Sequence, residues 1–383
     1  MKKMNNRMRI SGRILIWATT MIGVSSLSGC IASGPPLPND AQLRAEKSIK
    51  PVRLPDVPAR VATPMNPLLV ARSAKVIEDS LMSKDVVIRA NAVEAAMLSK
   101  QPNLQAILTT GLTDNEPIVR FASAMAAGDA RQKSLLPKVM SLANDTSPNV
   151  RVAVRYALHR MGDFRMTRDL ETLSQNPSES VRSNVALVLG KLEEPSAVRV
   201  LRPMLNDESM PVRLAVAEGL WRYQDKDALE MLVAGVSSQF VDDQMISMLA
   251  LAQAKDRRVL GYFLGRLDMK SAVVDAAREG RFYDQVELVA ARGAGILGSD
   301  AGFGVAQRAA KSVDQRERVL SALALGDIGR GDAQATLDVL LSDPDASVRL
   351  AAASAVGRLA LVPQTVTPAS PISAIVPTIT SVN

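Results

Sequence analysis

Side chains suited to acid–base or metal chemistry are few in this chain. Among 383 residues there is one histidine, His159, and one cysteine, Cys30. A Ser-His-Asp arrangement or a histidine metal site would have to use His159, and no second histidine is present to support either one. The acidic residues recur at regular spacing without a clustered pair, so no acid–base dyad is evident. The sequence therefore predicts no enzyme activity, no metal and no cofactor, with His159 a solvated side chain on a helix.

One glycine motif has the spacing of a dinucleotide-binding loop. Residues 293–298 read Gly-Ala-Gly-Ile-Leu-Gly, a literal G-x-G-x-x-G. Such a site needs a strand before the motif, a helix that opens at it, and an acidic residue about twenty positions later. The surrounding pattern is helical, and no further strand–helix–strand unit follows. The glycines are therefore predicted to serve helix packing and a turn.

The helices predicted to carry the residues discussed above recur with a period of 31 residues. Each period holds two apolar patterns of helical spacing, which indicates a pair of helices. One pair cannot bury both of its apolar faces, so its stability must come from stacked neighbours, as in a solenoid. The period is marked by arginines at positions 89, 120, 151, 182 and 213, and again at 318 and 349.

A turn is predicted between the two helices of each unit. Six residues before the arginine stands an Asp or Asn, and a proline follows within a few residues. This combination is typical of a turn that leads into a new helix. The turn residues are Asp114, Asp145, Asn176, Asp207 and Asp343.

The repeated phrase Asp-x-x-Pro-x-Val-Arg resembles the short HEAT-like repeats of the phycobilin-lyase type, over residues 67–361. The resemblance implies an all-α solenoid (superhelix) of about nine helical pairs. It also implies that the arginines and turn aspartates form a structural polar ladder along the spine. The implied ladder comprises Arg89, Arg120, Arg151, Arg182, Arg213, Arg318 and Arg349 with Asp114, Asp145, Asp207 and Asp343. Related di-iron hydroxylases carry several His-Glu pairs, which the single histidine excludes here.

Residues 1–29 resemble a bacterial lipoprotein signal peptide. Five basic residues precede an apolar run at about residues 14–22, and Leu27-Ser28-Gly29-Cys30 matches a lipobox. The apolar run is shorter than the 18 or so residues that a membrane span needs. Cys30 is therefore predicted to be lipidated, which anchors the protein to a membrane of the cell envelope. Because Ile31 follows instead of Asp, resemblance to enterobacterial sorting rules favours the outer membrane, on its periplasmic side.

Removal of the signal peptide leaves 41 basic and 39 acidic residues, a net charge of +2. This balance gives no basic stripe for nucleic acid, and no nucleic-acid partner is predicted. Residues 30–66 contain seven prolines and are predicted to form an extended tether. Residues 362–383 combine proline, serine and threonine without any charge, and are predicted to be disordered or to pair with another segment on binding.

The repeat signature fades after Arg213. The next two arginine positions hold Gln244 and Asp275, and Arg318 follows Asp275 after one period plus twelve residues. We expect an extra helix at about residues 302–313, within an irregular insertion at 281–313. Three aromatic residues there are candidates for partner binding, and the alternative is a packed change of curvature with these rings in the core. They are Phe282, Tyr283 and Phe303.

A second candidate surface follows the regular repeats. Nine residues after successive arginines stand Arg160, Lys191 and Arg222, with Trp221 and Tyr156 beside them. These residues would form a short basic, partly aromatic strip. The alternative is that the cations simply favour helix C-termini.

The sequence thus predicts a non-catalytic, lipid-anchored scaffold or adaptor that holds a protein partner in the bacterial cell envelope. The alternative is a bilin-lyase-like enzyme or a small-molecule-binding member of the HEAT-like repeats.

Overall fold

The computed structural model describes the backbone of residues 50–53, 64–268, 280–361 and 373–376, and the side chains of residues 64–267 and 285–361. Within these ranges the chain forms eighteen α-helices and two short strands. None of the described helices is both long and apolar enough to cross a membrane. The predicted signal peptide and lipobox lie outside the described residues.

The helices form nine consecutive pairs, which confirms the predicted all-α solenoid. The first helices of the pairs are α1 (Pro67–Leu81), α3 (Leu104–Gly111), α5 (Leu136–Ser141), α7 (Asp169–Leu173), α9 (Ala197–Met204), α11 (Lys226–Val236), α13 (Leu260–Asp268), α15 (Phe303–Ala309) and α17 (Gln334–Leu340). The second helices are α2 (Val86–Leu98), α4 (Pro117–Asp129), α6 (Pro148–Arg160), α8 (Glu179–Leu192), α10 (Met210–Trp221), α12 (Val241–Gln253), α14 (Gly280–Ile296), α16 (Gln315–Ile328) and α18 (Ala346–Leu361). Short 3₁₀ turns precede α5, α13 and α17 at Lys133–Leu135, Arg257–Val259 and Gly331–Ala333.

Turn chemistry explains where the second helices begin. The Asp145 carboxylate accepts a hydrogen bond from the backbone N–H of Ser147 at 2.8 Å, which tightens the turn before α6. Pro148 then occupies the start of the helix, where its missing N–H would have had no helical partner. The proline ring also sets the backbone angle that the first helical turn needs.

Small residues let successive second helices pack closely. A Cβ atom on Gly190 of α8 would lie 2.4 Å from the Cα of Gly219 in α10, so the two backbones touch directly. Alanines fill much of the remaining contact, and the second helices are buried along most of their length. The second helices therefore form an inner layer, which the first helices surround.

The last unit packs against the first, so the solenoid closes into a ring. Helix α18 contacts both α1 and α2. The backbone N–H of Asn66 donates to Oε1 of Gln334 at 2.8 Å, and Arg72 donates to Oγ of Ser342 at 2.9 Å and pairs with Asp338. The 31-residue period predicts stacking but carries no information on whether the ends meet. Closure means that the first and last units cover each other's apolar faces.

The predicted position of the extra helix is wrong. Helix α14 packs between α12 and α16, and α15 packs on α16 as an ordinary first helix. Counting 31 residues back from Arg318 reaches Glu287 on α14, so Glu287 occupies the arginine position that the sequence had given to Asp275. The twelve extra residues therefore lie between Gln244 and Glu287. Part of this length, residues 269–279, falls outside the described residues.

A short ribbon links the tether to the tail. Strand β1 (Lys50–Arg53) pairs antiparallel with β2 (Ser373–Val376), and β2 lies against the 3₁₀ turn Arg257–Val259 and α13. The tail was predicted to be disordered or to pair with another segment on binding, and for residues 373–376 the segment it pairs with is the chain's own tether. Most of the remaining residues in 30–66 and all those in 362–383 lie outside the described part of the chain.

Candidate functional site

The repeated arginine binds two turns at once. Arg120 donates from Nη1 to the carbonyl oxygens of Asp114 and Asn115 in its own turn, at 2.8 and 2.9 Å. Its Nε and Nη2 donate to the two carboxylate oxygens of Asp145 in the next turn, at 2.8 and 3.0 Å. The same bidentate pairing joins Arg89 to Asp114, Arg182 to Asp207 and Arg318 to Asp343. Each pair fixes one unit to its neighbour and serves structure.

The arginine ladder has gaps where the next turn lacks an aspartate. Arg151 binds only its own turn, through the Asp145 carbonyl at 2.8 Å and a longer contact to Thr146. The position opposite it holds Asn176, whose amide oxygen accepts from the backbone N–H of Ser178 instead. Arg213 and Arg349 likewise bind the carbonyl oxygens of their own turns. The ladder therefore differs in strength from one unit to the next.

Burial and pairing act in opposite directions on the ladder carboxylates. Burial by itself raises the pKa of Asp145, but the guanidinium of Arg120 and the N–H of Ser147 outweigh it and lower that pKa below its ordinary value. The pKa values of Asp114, Asp207 and Asp343 are lowered for the same reasons. These carboxylates therefore stay ionised to a lower pH than an unperturbed aspartate does.

The inside of the ring holds a cluster of charged side chains, which we call the central cluster. It is built from positions five and nine residues after the arginine position. Lys191 on α8 donates to Asp129 on α4 at 2.8 Å and so reaches past α6. This contact between alternate units is possible only on the inner side of the ring. The cluster consists of Glu94, Asp129, Tyr156, Lys191, Arg292, Asp327 and Arg358.

Most members of the central cluster are paired. Arg292 donates from Nε to Asp327 at 2.6 Å, and Arg358 pairs with the other oxygen of the same carboxylate. The Tyr156 hydroxyl donates to Asp129, and burial together with that carboxylate raises the tyrosine pKa. These pairs link α4, α6 and α8 in one group and α14, α16 and α18 in another.

Glu94 is the exception in the central cluster. Its residue is only 7% exposed, yet no hydrogen bond or ion pair from the described residues reaches its carboxylate. Burial raises the pKa of Glu94, while the charges of Lys191, Arg292 and Arg358 act in the opposite direction. Sequence analysis missed Glu94 because no other unit has a glutamate at that position except α10, and no column of like residues marks it.

The predicted basic, aromatic strip faces inward and is largely covered. Tyr156 and Trp221 are fully buried, and Arg222 pairs with Glu218 at 3.0 Å on its own helix. Phe303 is also buried, with the Arg330 guanidinium 4.1 Å from its ring centre. For Phe303 this burial favours the alternative left open above, a ring packed in the core, and in the strip the rings of Tyr156 and Trp221 are likewise core residues. The side chains of Phe282 and Tyr283 lie outside the described residues.

His159 is not the solvated side chain that the sequence predicts. Its Nδ1 lies 2.9 Å from Oγ1 of Thr167, and its Nε2 lies 3.3 Å from Oε1 of Glu194. The ring of Phe164 meets the imidazole edge-on at 4.7 Å between ring centres. His159 therefore anchors the loop of residues 161–168, which joins α6 to α7. In the described part of the chain no group of three or more His, Cys, Asp or Glu side chains is placed to hold a metal ion.

The loop anchored by His159 presents an aromatic side chain to solvent. Phe164 is 60% exposed although its ring edge is held by the histidine. Arg165 and Arg168 are exposed on the same loop. The loop has no helical period and lies between two repeats, so the periodic pattern could not single it out.

The G-x-G-x-x-G motif serves helix packing and a turn. Gly293 and Gly295 lie within α14, where a Cβ would come 2.4 Å from the Phe263 ring and 2.7 Å from the backbone of Ile328 respectively. Gly298 has a φ of +89° in the turn that follows the helix. No strand precedes the motif among the described residues, so this is not a dinucleotide-binding loop.

Comparison with known proteins identifies the repeats. The family model for HEAT repeats matches residues 102–176 and 167–252, and a second HEAT repeat model matches residues 335–362. No curated protein sequence matches the chain. One similar solved structure is the complex of CpcE and CpcF of phycocyanin lyase from Nostoc sp. PCC7120, at 18% identity and a TM-score of 0.40, covering 61% of this chain and 91% of that one. Another is human deoxyhypusine hydroxylase, at 19% identity and a TM-score of 0.34, covering 68% of this chain and 97% of that one. The family models thus show HEAT repeats at residues 102–252 and 335–362, and the nine stacked pairs show an α-solenoid around them.

Proposed function

We propose that the protein is a non-catalytic, lipid-anchored adaptor of the bacterial cell envelope, which holds a protein partner on its HEAT ring. The anchor is the thiol of Cys30, which ends the lipobox Leu27-Ser28-Gly29-Cys30. Several acyl chains at one cysteine give stable anchoring, since each buried CH₂ contributes about 0.8 kcal/mol. Ile31 after the cysteine favours the outer membrane on its periplasmic side.

The observation that carries the binding role is the exposed ring of Phe164 on a loop that is already ordered. Aromatic and arginine side chains supply much of the binding energy at protein interfaces. A loop that is held in place before binding loses less conformational freedom when a partner docks. His159 holds Phe164, and Asp163 holds Arg165 through two hydrogen bonds at 2.9 and 2.6 Å. We therefore place the partner site on the loop of residues 161–168, with Arg168 beside it.

Paired charges on the inner face fit binding better than acid–base catalysis. Asp129, Glu218 and Asp327 each engage a cation. The rival proposal is an enzyme or carrier of a bilin-like small molecule. A coloured or reactive small molecule that remains bound to the purified protein would support that rival.

The test uses a photo-crosslinking amino acid at Arg168 in living cells. We expect one envelope protein to crosslink, and the additional change Phe164→Ser to abolish the crosslink without lowering the melting temperature, because the ring is mostly exposed. The matched control is Val339→Ser, which removes another exposed apolar side chain, on α17. If Phe164→Ser leaves the crosslink intact, the loop is not the docking site.

The anchor is tested separately by intact-mass analysis of the membrane fraction. Wild-type protein should begin at Cys30 and carry the mass of acyl chains, whereas Cys30→Ala should keep residues 1–29 and carry none. Wild-type protein that retains Met1, or lacks acyl mass, would contradict the envelope assignment.

A further inference from the structure

Three neighbouring loops on the rim that carries Phe164 are basic. Loops 99–103, 130–135 and 161–168 belong to successive units, and each joins a second helix to the first helix of the next unit. Because they occupy the same place in each unit, they lie side by side on that rim. We call their five exposed cations the basic arc: Lys100, Arg131, Lys133, Arg165 and Arg168.

The basic arc has little counter-charge. The only acid in the three loops is Asp163, which pairs with Arg165 at 2.6 Å, so five cations stand against one acid. The other four cations of the arc make no side-chain hydrogen bond or ion pair with any residue that the structure describes. Two acids on the adjoining helix α7 are engaged elsewhere, Asp169 with Arg155 and Glu171 with Arg199. The arc is therefore open to a negatively charged partner.

The next loop along the rim limits the size of that partner. Residues 193–196 include Glu193 and Glu194, which are both exposed, and no cation. A flat anionic surface such as a membrane, laid along this rim, would meet these two carboxylates together with the arc. A protein segment can end before them, and the exposed ring of Phe164 is a side chain typical of protein interfaces. The arrangement thus fits a short acidic segment better than an extended anionic surface.

We propose that the basic arc binds an acidic segment of the protein partner, with Phe164 at one end of the contact. The proposal rests on the partner site proposed above and adds the chemistry of its ligand. Stacked helices lie about 10 Å apart, so three loops span about 20 Å, the length of roughly six extended residues. Exposed charges at an interface mainly steer the encounter and fix the register. The arc therefore selects the partner, and the aromatic ring holds it.

The first experiment reads the partner's chemistry directly. A photo-crosslinking amino acid replaces Ser134, which is exposed beside Lys133 and whose replacement leaves every cation of the arc in place. The crosslinked partner peptide is then sequenced by mass spectrometry, and we expect acidic residues to outnumber basic ones in it. A peptide without that excess overturns the proposal. A crosslink from Arg168 but none from Ser134 also overturns it, while leaving the docking site at Phe164 in place.

The second experiment reverses the charge of the arc. The triple change Lys100→Glu, Arg131→Glu and Lys133→Glu should lower the crosslink from Arg168 at least tenfold. The matched control makes the same change of net charge at exposed lysines outside the arc. It is Lys226→Glu, Lys255→Glu and Lys311→Glu, in which Lys255 shares the left-handed backbone of Lys100 and Arg131.

The control should crosslink within twofold of wild type, and circular dichroism checks that both variants fold. Equal crosslinking by the arc variant and wild type, or an equal loss in the control, overturns the proposal. Loss with Phe164→Ser in the same assay separates that result from failure of the docking site itself.

A third measurement tests the membrane as the occupant. Residues 30–383 carrying Cys30→Ser lack the acylated thiol, so only the protein surface can bind lipid. We expect no sedimentation with vesicles of phosphatidylcholine and phosphatidylglycerol at a ratio of about 2:1. Sedimentation that the charge-reversed arc abolishes would assign the arc to anionic lipid and overturn the proposal.

Discussion

The arginine ladder makes its sharpest prediction through two arginines that occupy the same position in neighbouring repeats but differ in their pairing. Arg120 binds its own turn and the carboxylate of Asp145, whereas Arg151 binds only its own turn. Replacing each by alanine removes the same side chain from the same position in neighbouring units. Arg120→Ala should therefore destabilise the ring more than Arg151→Ala.

The size of the difference follows from what each change leaves behind. Without Arg120, the carboxylate of Asp145 keeps one backbone N–H, and its side chain is only 5% exposed. Removing one partner of a buried ion pair costs about 3–5 kcal/mol, and the Arg120 side chain is 12% exposed, so we expect about 2–4 kcal/mol. Arg151→Ala loses a charge-assisted bond to a carbonyl, which is worth about 1–2 kcal/mol. The expected gap is about 1–2 kcal/mol.

Urea unfolding at pH 7, followed by circular dichroism, measures both variants against wild type. The double variant Arg120→Ala with Asp145→Ala separates the ion pair from the loss of packing, since it leaves no unpaired carboxylate and should recover part of the loss. Equal free energies of unfolding for the two single variants would show that the bidentate pair adds nothing, and the reasoning from pairing would be refuted.

Three further predictions concern the same framework. Asn176→Asp should give Arg151 its missing carboxylate and raise the free energy of unfolding by about 1 kcal/mol in urea titrations; no gain would mean that the turn cannot reach the arginine. The ladder aspartates have lowered pKa values, so their stabilisation is present above their ordinary pKa of about 3.9 and is lost as the pH falls through the lower folded values. Unfolding midpoints should accordingly drop as the pH falls below about 4, and less steeply in Arg120→Ala. Gly190→Ala should cost about 1–3 kcal/mol because the new Cβ meets the α10 backbone, whereas Gly304→Ala, with only the end of a flexible arginine nearby, should cost nothing or stabilise, as thermal melts would show.

The sequence predicted well those local features that recur in every unit. The Asp-Pro turns and apolar helical columns recur with the period, so nine helical pairs could be inferred without coordinates. The pairing of Arg120 with Asp145 also follows a constant spacing of 25 residues. Where a unit breaks the pattern, as at Asn176, the residue type itself predicts the missing bond.

Features that depend on more than one unit could not be predicted. Ring closure results from the small rotation between units, accumulated nine times, and no single residue type records it. The twelve extra residues were placed in the wrong unit because neither Asp275 nor Glu287 is an arginine. Residue types therefore could not show which of the two occupies the arginine position of the repeat. Tyr156 and Trp221 were candidates for a surface because they neighbour the basic residues at position nine, but both rings are buried, and the repeat pattern does not distinguish the two cases.

Closure also restricts where a partner can bind. An open solenoid offers its inner face as a groove, but here the inner face is occupied by the central cluster, so the rims and the outer layer remain. The loop of Phe164 joins a second helix to the next first helix, and at that same rim α1 begins, α18 ends and β2 packs on the turn before α13. The tether therefore leaves from the rim that carries Phe164. Nineteen residues separate Cys30 from β1 and span at most about 65 Å when fully extended. Under the proposed anchoring, a partner held by Phe164 is kept at the rim nearest the membrane attachment, which accounts for an exposed aromatic on this rim in a protein with few aromatic residues.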